Sequence, residues 1–310
     1  MMVHQTAMQH RWRNRVHTFL LLASLFGFFM VIARLILGSG FLLPVILLAA
    51  FTSFLPAALT PRILLRQLQA RPLEPHQAPD VASLVRTLSN RAGLRHEPRL
   101  FLIAKPGPIA FTMGGGEHAV VVLSMDLLRS LSPRELAGVL AHEIGHIRNG
   151  DLLLLRLSYS MTGLVRLLSM AGLVLLFFSL PMLALSGTAI PWGLVLVLAL
   201  APQAMMLIQL ALSRSREFDA DLAAAELTGD PAGLARALQS LEYFGQGFWK
   251  RFLRPANMNP VPVFLRTHPL TAERIRRLQD LIRRRPDSSG PDPWPAALRH
   301  DIQTLGNLHY

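Results

Sequence analysis

Four apolar runs constrain this chain more than any other feature: residues 19–37, 41–59, 164–185 and 192–212. As a helix rising 1.5 Å per residue, each is long enough to cross a hydrocarbon layer of about 30 Å. Arg34 and Arg166 lie near run ends, where a long side chain can reach the interface, and the fourth run carries no charge. The runs pair into two hairpins, 19–59 and 157–212, closed by the short uncharged turns "GSG" and "SGTAIP". The formal net charge of +12 sits in the long connections, mostly as arginine. By the positive-inside rule, both termini and the long connections face the cytoplasm. A second apolar run follows the first almost at once, so the first reads as an uncleaved signal-anchor.

The expected organisation is therefore a basic N-terminal tail (1–18), a hairpin (19–59), a cytoplasmic segment (60–156), a second hairpin (157–212), a mostly helical cytoplasmic segment (213–285) and a loosely ordered Pro/Ser/Gly-rich tail (286–310). In 60–156, helical spacing covers 78–93, and "RLFLIAK" reads as a strand. "AFTMGGGEHAVVVLS" reads as strand, glycine turn and strand. The fold class is a mainly α membrane protein with four transmembrane helices and a cytoplasmic α+β domain carrying a small sheet. The chain has no cysteine, which excludes disulfides and thiolate metal sites. No aromatic and basic pattern of a nucleic-acid surface accompanies the charge, and nucleic acid is not an expected partner.

The chemistry concentrates in "LAHEIGHIRNGD". Ser132, Pro133 and Glu135 form a helix start with a capping box, and Asn149-Gly150 ends that helix before Asp151, which suits the cap of the next one. His142 and His146 are thus one turn apart on one face, able to ligate one ion. Glu143, on the adjoining face, is placed to act on water as general base without ligating. Such a site needs a third protein ligand. No glycine or proline interrupts 204–228, so the fourth run continues as a helix through "SRSREFDAD" and returns Glu217 beside the histidines. Asp221, one turn on, is spaced to orient His142.

These pieces resemble the HtpX-like membrane zinc metalloproteases, gluzincins related to the type I CAAX prenyl proteases. The resemblance covers roughly residues 15–285 and rests on "VLAHEIGHIRNGD", "SRSREFDAD" and "THPLTAERI". It implies a zincin-like domain and one Zn2+ per chain held by His142, His146 and Glu217. It also implies a multi-pass endopeptidase of the bacterial inner membrane, with its active site in the cytoplasm. Its substrates would be peptides and proteins, chiefly membrane or misfolded proteins, in a quality-control and stress-response role. It makes His268 and Arg274 candidates to stabilise the oxyanion. It reads Ala110, Phe111, Thr112, Met113 and Gly114 as an edge strand that receives substrate backbone. The chain departs from the family at Ile109, where asparagine is common. His118 reads as a surface histidine. The competing expectations are a CAAX-type processing protease, for which four spans offer a small chamber, and a metal-stabilised scaffold, for which Glu143 has no use. Oligomeric state is not legible.

Overall fold

The structure, a computed structural model, describes residues 2–37, 40, 63–187, 192–252 and 271–283. These residues belong to two compact units. One draws on Ala57–Leu152 and Arg216–Tyr310, with a few N-terminal residues; the other draws on Gln5–Pro56 and Leu153–Ser215. The elements run α1 (Met2–Leu37), β1 (Arg71–Pro72), α2 (Pro79–Ala92), β2 (Arg99–Ile103), β3 (Ala110–Met113), β4 (Val120–Ser124), α3 (Met125–Ser130), α4 (Pro133–Asn149), α5 (Asp151–Ser186), α6 (Trp192–Thr228), α7 (Pro231–Phe252) and α8 (Thr271–Arg283).

In the first unit, a four-stranded sheet has the order β1-β2-β4-β3. β2 runs parallel to β4, while β3 is antiparallel to it with Thr112 opposite Val121. β4 is buried along its whole length because it lies inside the sheet, which explains its unbroken apolar reading. β3 alternates, burying Phe111 and Met113 while Ala110 and Thr112 remain half-buried. Among the described residues β3 is a sheet margin. Gly114 lies just past the strand with φ +79°, and a Cβ there would meet the His118 carbonyl oxygen at 2.1 Å. Only glycine makes that turn. Ile109 packs with Leu64, Leu65, Phe111 and Met113 in a small apolar cluster, so at this position the chain carries a packing residue.

α4 forms as the sequence dictates. The Ser132 hydroxyl accepts from the Glu135 N–H, and the Glu135 carboxylate accepts from the Ser132 N–H at 2.8 Å. Gly150 closes the helix in the left-handed region at φ +70°. Leu136, Leu140 and Ile144 are fully buried in the main core. α4 passes close to two neighbours at glycines. A Cβ on Gly138 would lie 2.9 Å from the Leu234 backbone of α7, and one on Gly145 would lie 3.1 Å from the Ala223 Cβ and 3.2 Å from the Ala220 carbonyl oxygen of α6. Asp230 starts α7, accepting from the Gly233 N–H while its carboxylate pairs with Arg134 of α4.

In the second unit, Leu25 and Phe29 of α1 pack with Met161 and Val165 of α5 and Ala201 and Met205 of α6. Helices over Asp151–Met182 and Trp192–Thr228 are long and apolar enough to cross a membrane. Only 11% and 17% of their most apolar windows are buried, unlike the core helices of a soluble protein. Phe177, Phe178 and Met182 point outward instead. The apolar stretch of α1, Val16–Ile32, is shorter, and α1 itself is helical from residue 2, through what reads in sequence as a tail. The second apolar run, 41–59, and the tail beyond 286 lie outside the described residues.

Candidate metal centre

α4 projects His142 and His146 from one face, and α6 crosses it at Gly145. The crossing is close because both sides are small: Gly145 faces Ala220 and Ala223. It seats Glu217 against both rings. His142 Nε2 lies 3.2 Å from His146 Nε2 and 3.4 Å from Glu217 Oε2, and His146 Nε2 lies 3.6 Å from Glu217 Oε1. These are the three residues of one buried cluster that could hold a metal ion. A tetrahedral ion with ligands at about 2.1 Å sets them about 3.4 Å apart, so the donor set fits a small divalent cation with one position left for water. The charge fits as well. Asp151, Asp219, Asp221, Glu143 and Glu217 outnumber the two guanidinium groups among them, Arg216 and Arg274, by three. A divalent ion reduces that surplus to a single negative charge.

Each histidine is held from behind. His142 Nδ1 donates to Asp221 Oδ1 at 3.0 Å, as the i to i+4 spacing of Glu217 and Asp221 predicts. His146 Nδ1 donates to Asp151 Oδ2 at 2.8 Å. A carboxylate only accepts, so both rings carry a proton on Nδ1 and direct Nε2 at the cluster. The sequence reading placed Asp151 as a helix cap. Its fully buried carboxylate instead orients His146 with one oxygen and meets Arg216 Nη1 at 3.4 Å with the other. Its place just after the helix-ending glycine was the available signal, but an aspartate there serves equally as a cap. Burial works against charge on His142, yet hydrogen bonds to Asp221 and Glu217 outweigh it and raise the imidazole to about 9. A cation entering the site therefore displaces a proton. Asp151→Asn should weaken metal binding about 10- to 100-fold, measured by competition with a chelating dye. Unchanged affinity would show that the His146 hydrogen bond has no part in holding the ring.

Arg274 is buried against the cluster. The residue is 2% exposed, and its guanidinium grips Asp221 with two hydrogen bonds, Nε to Oδ2 at 2.7 Å and Nη2 to Oδ1 at 2.6 Å. Nη1 lies 3.0 Å from Glu217 Oε2. Burial opposes its charge, but Asp221 and Glu217 raise its pKa further, so it stays cationic at every relevant pH. With its nitrogens engaged on these carboxylates, Arg274 clamps two groups that line the cluster. His268 lies outside the described residues.

Glu143, next to His142, is also buried, and its Oε2 accepts from the Thr112 hydroxyl of β3 at 2.6 Å. It is a carboxylate beside, but not part of, the three-ligand cluster. His118 is exposed beside Glu117, as expected of a surface histidine.

Comparison with known proteins places this arrangement among peptidases. The family model described as peptidase family M48 matches residues 75–282. A curated "Protease HtpX homolog" of Paraburkholderia phytofirmans is 36% identical over 283 residues, covering 87% of this chain and 98% of that protein. One of Burkholderia mallei shows the same identity and coverage. The crystal structure of S. mikatae Ste24p is 23% identical with a TM-score of 0.45, covering 86% of this chain and 65% of that one.

Proposed function

We propose, from the premise that this chain belongs to peptidase family M48 and is a metalloprotease, that it is an integral-membrane zinc endopeptidase. It hydrolyses peptide bonds of membrane or misfolded proteins at the cytoplasmic face of the bacterial inner membrane. The observation that carries the reading is the buried His142, His146 and Glu217 cluster with Glu143 beside it but outside the ligand set. A purely structural site has no use for that fourth group. Zinc suits the donors, two imidazole nitrogens and a carboxylate, better than magnesium or calcium, which prefer all-oxygen shells.

When bound, the ion would polarise the scissile carbonyl and acidify a water. Glu143 then takes the proton from the attacking water and returns it to the leaving amine. Asp221 and Asp151 keep the imidazoles aimed, and Arg274 and Arg216 hold those carboxylates in place. β3, open on one side among the described residues, receives an extended peptide through backbone hydrogen bonds that ignore side-chain identity, which suits quality control. Four spans with cytoplasmic termini accord with the arginine-rich long connections and the uncharged short turns.

The test is metal content against turnover. The full chain purified in detergent should carry about one zinc per chain, because the ligand set is complete. Chelation should stop hydrolysis of an unfolded casein, and added zinc should restore it. Hydrolysis that continues in fully stripped protein would overturn the reading.

A further inference from the structure

The Thr112 hydroxyl has one proton, and it goes to Glu143 Oε2 at 2.6 Å; the Glu143 carbonyl oxygen, at 3.4 Å, is too far to compete. Thr112 therefore reaches across from the sheet to the carboxylate that the proposed chemistry uses. Its backbone faces another way. The Ser124 N–H donates to the Ile109 carbonyl at 2.8 Å and the Ile109 N–H donates to Ser124 Oγ at 2.8 Å, so both backbone groups of Ile109 face β4 at the start of the β3–β4 ladder. In an antiparallel ladder, hydrogen-bonded and non-hydrogen-bonded pairs alternate. The registers Phe111 with Val122 and Met113 with Val120 are then bonded ones. Ala110 and Thr112, opposite Leu123 and Val121, turn their N–H and C=O groups to the edge that is open among the described residues. The alternating burial of β3 agrees: Phe111 and Met113 are packed away beneath the sheet, while Ala110 and Thr112 face the side where α4 lies.

We propose that Thr112 is a positioning residue that couples docking of a peptide on β3 to the orientation of the Glu143 carboxylate. One residue offers its backbone to the substrate strand and its side chain to the base. A peptide that pairs with Thr112 fixes the strand whose hydroxyl holds Oε2, leaving Oε1 turned to the attacking water. The inference rests on the reading of Glu143 as base and of β3 as the docking edge.

The test compares Thr112→Val, which keeps shape and β-branching but has no hydroxyl, with Thr112→Ser, which keeps the hydroxyl. Both are made in the full chain, loaded with zinc and assayed on fluorescein-labelled casein. Thr112→Val should lower kcat about 10- to 100-fold, as expected for a displaced catalytic group, with KM within about twofold. Its zinc content should match the wild type, and so should its affinity for labelled casein, read by anisotropy on zinc-stripped protein. Thr112→Ser should stay within about threefold of wild type in kcat. If Thr112→Val does not fold, Thr112→Ala is read by the same split. Wild-type kcat in the hydroxyl-free variant, a loss in KM alone, or a serine variant as weak as the valine variant would each overturn the coupling. Glu143→Gln, run in parallel, separates the two ideas. If it is inactive while Thr112→Val is not, only the coupling fails; if it is fully active, the function of Glu143 fails first.

Discussion

Glu143→Gln should lower casein hydrolysis by about 100- to 10,000-fold while zinc content stays at one per chain. The factor is the usual contribution of a positioned general acid–base group. The substitution is nearly isosteric. Its amide oxygen can still accept from the Thr112 hydroxyl, and the metal cluster does not include position 143, so neither packing nor ligation is removed. What is removed is the ability to take a proton. Because Glu143 is only 3% exposed, solvent has little room to supply a substitute base. Metal analysis and initial rates on the same preparation decide the matter. A variant that keeps its zinc and its full rate would remove Glu143 from the mechanism; one that loses its zinc would make it a structural neighbour of the ligands.

The second large effect belongs to Arg274. Arg274→Met keeps most of the side-chain volume but leaves Asp221 and Glu217 buried beside each other without their shared cation. Removing one partner of a buried ion pair costs about 3–5 kcal/mol, because the remaining charge is stranded away from water. The loss should be larger in protein stripped of zinc, where only a protonated His142 is left to compensate the carboxylates, and smaller in the loaded protein. Denaturant unfolding of both forms measures it. Arg274→Lys should restore only part of the loss, since an ammonium cannot reproduce the two parallel hydrogen bonds to Asp221. Stripped Arg274→Met protein within about 1 kcal/mol of wild type would show that the clamp contributes little beyond the metal itself.

Local chemistry was the legible part of this chain. The capping box at Ser132 and Glu135, the stop at Gly150 and the shared face of His142 and His146 all follow from spacing within one helix. Glu217 and Asp221 were legible one step further, because an uninterrupted helix across them was required by the absence of glycine and proline. The partners of Asp151, Arg216 and Thr112 were not. Each depends on which face of a second element arrives, and an aspartate after a helix-ending glycine reads as a cap whether or not a histidine waits for it. Arg274 illustrates the same limit. It was marked by resemblance as a group near the chemistry, but only the packing of α8 shows that its nitrogens are occupied by Asp221 and Glu217.

The placement of Arg274 relative to His142, 132 residues earlier, also has a consequence for how the protein is made. At about 5–20 residues per second, the ribosome needs roughly 7–26 s to travel between them. Throughout that interval the nascent chain has the two histidines and the glutamate of its hydrolytic motif without the arginine that neutralises Asp221 and Glu217. Both long apolar helices must be synthesised before the ligand cluster can close. Until Glu217 is made, the nascent chain holds only two of the cluster's three ligands.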